Sequence, residues 1–136
     1  DRLKGNVKQM GLSNLTFIDF TNRDGVKELL NVTDASFICY KSIPILETGS
    51  PNKFFDGLAA GKLILINFGG WIRKEIEDNK CGVYSDPNQP TDFVKKIRPF
   101  LADKILLTEY QQASRQLAEK KYSRNLLSRK FVELFR

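Results

Sequence analysis

With 136 residues, 41% of them hydrophobic and 28% charged, the chain has the size and composition of one ordinary globular domain. Its longest apolar run, Leu63 to Ile66, is strand-sized and excludes a membrane-spanning helix, and the absence of His excludes Ser–His and Cys–His nucleophile schemes. The formal net charge of +6 is unevenly placed: residues 1–90 carry 11 Lys+Arg against 11 Asp+Glu, and residues 91–136 carry 11 against 5, so the basicity belongs to the C-terminal segment alone.

The chain opens on Asp-Arg-Leu-Lys-Gly, with neither an initiator Met nor the layout of a signal peptide, and is read as an excised piece of a longer protein. Residues 2–11 suit a short helix with Leu3, Val7 and Met10 on one face and Gly11 as its stop. Leu15 to Phe20 is rich in β-formers and predicts a strand. Asn22-Arg23-Asp24-Gly25 then turns into a helix whose apolar side is Val26, Leu29 and Leu30. Ala35 to Tyr40 predicts a strand buried on both faces. A punctuated stretch, Ser42 to Pro51, precedes a helix over Asn52 to Ala60 that stops at Gly61. Leu63 to Phe68 reads as another buried strand, Trp71 to Asn79 as a helix, and Gly82 to Tyr84 as a short edge strand.

After Pro87 and Pro90 only helical spacing remains, on Phe93, Ile97 and Phe100, then on Leu106, Tyr110, Ala113 and Leu117, then on Leu127, Phe131 and Leu134 behind a Ser123 cap. Alternating strands and helices with short links predict an α/β fold, a parallel-sheet, Rossmann-like three-layer domain of about four strands with C-terminal helices. Residues 1–90 would form its core and residues 91–136 a helical segment packing on it or crossing back from it. Cys39, in a buried strand, and Cys81, in a turn, are expected to be buried inert thiols rather than a disulfide, and two cysteines without His make no zinc set.

In such sheets ligands sit beyond the carboxyl ends of the strands, which directs attention to the loops after Tyr40 and Phe68. In the first, Ser50 is a preferred N-cap and Pro51 fits the first helical position. The amides of Asn52, Lys53 and Phe54 would then open the helix as an anion site, and Gly49 would let phosphates approach the backbone. A lysine at position 53 opposes the helix dipole, and a bound diphosphate would reverse that sign. Asp56, one turn on and on the side of Asn52 and Lys53, could accept hydrogen bonds from two vicinal hydroxyls such as those of a ribose. The plainer alternative is a capped helix with Lys53 and Asp56 solvated. In the second loop, Gly69-Gly70 permits close backbone approach at another helix start, although GxGxxG is absent and a structural turn is the competing reading. Trp71 is either a platform over the site or a core aromatic, and Glu75 one that simply favours the helix dipole.

Together these residues resemble the donor-binding domain of the large retaining glycosyltransferase family four (group 1), whose members have two Rossmann-like halves. Pro51 to Lys62 followed by Leu63 to Asn67 looks like the second half of that family's Glu-rich motif, Gly69-Gly70 with Glu75 like the glycine pair and glutamate behind it, and Lys121-Tyr122-Ser123 with its helix like the segment crossing back to the acceptor domain. Asn14 to Phe20 and Asp34 to Tyr40 match the two preceding strands. Asp56 stands where the family commonly has Glu. Glu47 lies nine positions before it rather than eight, and is either the displaced first motif acid, with a catalytic place near the donor sugar, or has no such role.

The resemblance implies a nucleoside diphosphate sugar, a UDP-sugar foremost, as donor, held by Gly49, Ser50, Asn52, Lys53, Phe54, Asp56, Gly69 and Gly70. It implies a saccharide or lipid-linked acceptor, retention of configuration, no cofactor or bound metal, a cytoplasmic setting with possible contact at the membrane surface, and surface polysaccharide assembly as the pathway. Two further strands and the N-terminal acceptor half that the family carries upstream are missing, so this piece alone is expected to bind weakly and not to catalyse. The alternatives are a non-catalytic module using its basic helices on nucleic acid, membrane or protein, and an epimerase of the same architecture. The basic residues alternate with apolar ones at helical spacing and no nucleic-acid motif is present, so no nucleic-acid partner is expected.

Overall fold

The computed structural model describes residues 2–41 and 43–135. Helix α1 (Arg2–Gln9) is followed by α2 (Arg23–Val32), and then by β1 (Ala35–Ile38), α3 (Asn52–Ala59), β2 (Leu63–Ile66), α4 (Trp71–Asp78) and β3 (Gly82–Tyr84). Helices α5 (Pro90–Ala102), α6 (Lys104–Lys121) and α7 (Arg124–Glu133) complete the chain. The strands form one parallel sheet in the order β1-β2-β3, with Ala35 opposite Leu63, Ile38 opposite Ile66 and Ile66 opposite Tyr84. The α/β class and the C-terminal helices expected from the sequence are therefore present.

Central position explains the apolar run of β2, whose four residues are all buried. Ile64 and Ile66 point to the face covered by α3 and α4, packing with Ile38, Phe54, Leu58, Ile72 and Ile76. Leu63 and Leu65 alternate to the other face and meet Phe93, Ile97, Phe100, Leu106 and Tyr110 of α5 and α6. Gly82 is required on β3, because a Cβ there would overlap the Ile64 carbonyl oxygen.

Helix ends follow the local chemistry. Asn22 caps α2 by accepting from Gly25 N (3.0 Å), Asp103 caps α6 through Ile105 N and Leu106 N (2.8 and 3.1 Å), and Ser123 caps α7 through Leu126 N (3.4 Å). Gly61, at φ +62°, ends α3, with Gly61 N donating to Leu58 O and Lys62 N to Gly57 O. Lys80, at φ +49°, ends α4 by the same pair of bonds, Lys80 N to Glu77 O and Cys81 N to Ile76 O.

Helix α6 closes the amino-terminal end of the sheet. Gln111 Nε2 donates to Asp34 O (2.9 Å), the single Ser114 hydroxyl proton is shared between Lys62 O (2.7 Å) and Cys81 O (3.1 Å), and Arg115 donates to Ala59 O. Asp34, Lys62 and Cys81 are the residues that immediately precede β1, β2 and β3.

Three expectations are corrected. Leu15 to Phe20 forms no strand: it is irregular, exposed and unpaired, because no neighbouring strand supplies a ladder. Three strands rather than about four result. As an edge strand, β1 is not buried on both faces: Phe37 is 46% exposed. Cys39, just beyond it, is likewise exposed, whereas Cys81 is buried as expected.

Candidate functional site

With α6 across one end of the sheet, the carboxyl ends of the strands are left to the loops. Asn67 fastens the first two ends together. It is buried, its Oδ1 accepts from Tyr40 N (2.8 Å), and its Nδ2 donates to Tyr40 O (2.9 Å), which continues the β1–β2 ladder through a side chain. The sequence reading placed Asn67 at a strand end without a role. The available signal was an amide side chain closing an otherwise apolar run, because a buried amide must find partners.

Beyond Tyr40 the chain makes a 3-10 turn, Pro44–Thr48, where only an irregular stretch was expected; Ser42, which opens that stretch, lies outside the described residues. The turn brings Glu47 against the second loop. Its carboxylate lies 3.2 Å from where a Cβ on Gly69 would sit, and its carbonyl oxygen occupies the space a Cβ on Gly70 would need. Gly70 also has φ +82°, so both its conformation and its surroundings require glycine. Trp71 completes the junction by donating from Nε1 to Gly49 O (3.0 Å). Glu47, Gly49, Gly69 and Gly70 thus come together, although sequence spacing separates them.

Helix α3 starts differently from the expectation. Pro51, not Ser50, is its N-cap, at φ −69° and ψ 132°, and no side chain caps it. Phe54 is fully buried, and its amide is committed to Pro51 O (3.0 Å), a short i→i−3 bond that tightens the first turn. The amides of Asn52 and Lys53 open the helix. Lys53 and Asp56, both exposed, line a cavity of about 250 Å³ with Val26, Leu29, Thr33 and Ser36 between α2 and α3. Asp56 also borders a neighbouring cavity of about 700 Å³ with Arg23, Lys27 and Arg115. The structure therefore pairs Lys53 with Asp56 along one side of α3 and groups Glu47 with the glycines at its start.

Trp71 is half-buried and packs edge-on to Phe54 (centroids 5.6 Å apart, 88°), so it is a packing aromatic as well as a hydrogen-bond donor. Glu75 faces α6, where both its oxygens accept from Lys121 Nζ (2.8 and 2.7 Å). That hydrogen bond raises the Lys121 pKa, while burial, followed by the Glu75 charge, raises that of the Tyr122 phenol. Among the described residues no three of Cys, Asp or Glu cluster as a metal set, and no helix is long and apolar enough to cross a membrane.

A search of curated proteins finds no match to the chain. The family model described as "Glycosyl transferases group 1" matches residues 1–120, a span that takes in the whole sheet, both site loops and nearly all of α6. The chain therefore belongs to the group 1 glycosyl transferases, a family of sugar-transferring enzymes.

Proposed function

We propose that this chain is the donor-binding half of a retaining, two-Rossmann-domain glycosyltransferase and holds a nucleoside diphosphate sugar, a UDP-sugar foremost, at the start of α3. The observation that carries the reading is the convergence of two glycine-bearing loops, Gly49 and Gly69-Gly70, at the strand ends beside an uncapped helix that opens on Asn52 and Lys53. The amides of Asn52 and Lys53, with the Lys53 ammonium, hold the diphosphate. The same donors stabilise the negative charge that grows on it as it leaves, an interaction stronger in the transition state than in the ground state. This assigns charge neutralisation to the protein's own groups rather than to a cofactor or metal.

Asp56 accepts from the ribose hydroxyls, and Glu47, beside the glycine pair, lies toward the donor sugar. The acceptor is a saccharide or a lipid-linked saccharide brought by the N-terminal half of the enzyme, in the cytoplasm or at the membrane surface, and surface polysaccharide assembly is the setting.

The test is a ¹H–¹⁵N titration with UDP, GDP, dTDP and UDP-sugars, with Asp56→Ala beside the parent. Shifts confined to Gly49–Asp56 and Gly69–Trp71, weakened in the variant, support the reading and rank the bases. Shifts elsewhere, or equal shifts in the variant, contradict it.

A further inference from the structure

A peptide loop presents either N–H groups or carbonyl oxygens to an anion, and only the first binds it. The peptide unit is planar and trans, so its C=O and N–H point in opposite directions. Fixing one therefore fixes the other. The Gly49–Ser50 peptide lies in the loop ahead of α3, outside any ladder, and Ser50 N makes no backbone hydrogen bond among the described residues. Its carbonyl, however, is held: Trp71 Nε1 donates to Gly49 O at 3.0 Å. With the carbonyl turned toward the indole, the Ser50 N–H is turned away from it, to the opposite side of the peptide.

The indole is itself held on several sides. Its ring lies edge-on to Phe54 at 5.6 Å and near Phe55 at 6.4 Å, and both phenyl rings also contact Tyr122, at 6.1 and 5.2 Å. The backbone ahead of it is fixed by Gly70, whose φ of +82° and contact with the Glu47 carbonyl leave no room for a side chain. Trp71 is thus a rigid body with one polar atom, and that atom is spent on the loop that precedes α3.

We infer that Trp71 is a positioning residue of the donor site: its indole N–H sets the orientation of the Gly49–Ser50 peptide, so that the Ser50 amide joins those of Asn52 and Lys53 in holding the diphosphate. The inference rests on the donor-site reading above. It also couples the two loops, because a ligand that draws on the Ser50 amide polarises the peptide and strengthens the bond to Trp71.

Trp71→Phe keeps the aromatic body and deletes the N–H, and is compared with the parent chain. The expected result is an unchanged far-UV spectrum, a displaced Ser50 amide resonance as the Gly49–Ser50 peptide loses its anchor, and UDP affinity about three- to tenfold weaker, as the loss of one neutral hydrogen bond implies. A variant whose Ser50 amide resonance and UDP affinity match the parent's overturns the inference. Should the variant not fold, the parent alone decides: a Trp71 indole N–H protected from exchange supports the tie, and one that exchanges at the free rate overturns it. Failure of the donor reading looks different. There the parent itself shows no UDP shifts at Ser50 to Lys53, and the positioning role falls with it, whereas a parent that binds UDP beside an equally tight Trp71→Phe refutes the role of Trp71 only.

Discussion

Lys53 sits where a cation opposes the helix dipole, and a bound diphosphate reverses that cost. Replacing it removes one charge-assisted contact, so Lys53→Ala should weaken UDP binding about tenfold and, because an exposed residue is changed, leave the urea midpoint within about 0.5 kcal/mol of the parent or slightly above it. Gly70 behaves in the opposite way. Gly70→Ala forces a Cβ into the Glu47 carbonyl at a left-handed φ, and should cost about 2 kcal/mol or more of stability by urea denaturation. At this scale the sequence was legible where a residue type has one main use, as with the glycine pair at a helix start and the Ser123 cap. It was not legible where geometry chooses among uses. Ser50 is a good cap by type, yet the helix starts one residue later and leaves it outside. Trp71 was read as platform or core, but its bond to Gly49 spans 22 residues and has no local signature.

Elements were legible through periodicity: α2 to α6 and the three paired strands all lie where apolar spacing puts them. The segment Leu15 to Phe20 shows the limit of that method, because β-propensity describes how side chains suit a sheet and says nothing of whether a partner strand is at hand. The same limit exposes Phe37 on β1, which has a neighbour on one side only, and Cys39 just beyond it. Two element-scale outcomes follow from helix ends and burial. Lys80 closes α4 in a conformation that suits glycine, so Lys80→Gly should raise stability by about 0.5–1 kcal/mol in urea unfolding. Cys81, buried under α6, has its thiol pushed up to about 12, chiefly by loss of hydration. A raised folded pKa favours the protonated form in the native state. Its contribution is therefore whole below the unfolded thiol's range near 9 and falls as pH climbs from there to 12, by up to about 1.4 kcal/mol per pH unit. Denaturant midpoints measured from pH 8 to 11 check this, and Cys81→Ala should flatten the slope. In the native protein a thiol reagent should modify Cys39 rapidly and Cys81 only after unfolding.

The whole molecule divides its labour between the two ends of one sheet. At the amino ends, α6 ties down the residues that precede each strand through Gln111 and Ser114, and those contacts serve stability. At the carboxyl ends, Asn67, Glu47 and Trp71 lock two loops together. That polarity was legible in the sequence as a fold-class rule, and the resemblance to group 1 glycosyl transferases agrees with the family match. The locking contacts were not, since each joins residues more than twenty positions apart.

The lone tryptophan makes the central claim directly measurable, because Trp71 stands between the two loops and no second indole obscures it. Its fluorescence, excited at the red edge where the nucleotide does not absorb, should change saturably as UDP is added to millimolar concentration. In Lys53→Ala the midpoint should move to about tenfold higher UDP. A saturable change with that displacement places the diphosphate at the start of α3. A flat response, or a response identical in Lys53→Ala, contradicts the assignment of this end of the sheet as the donor site.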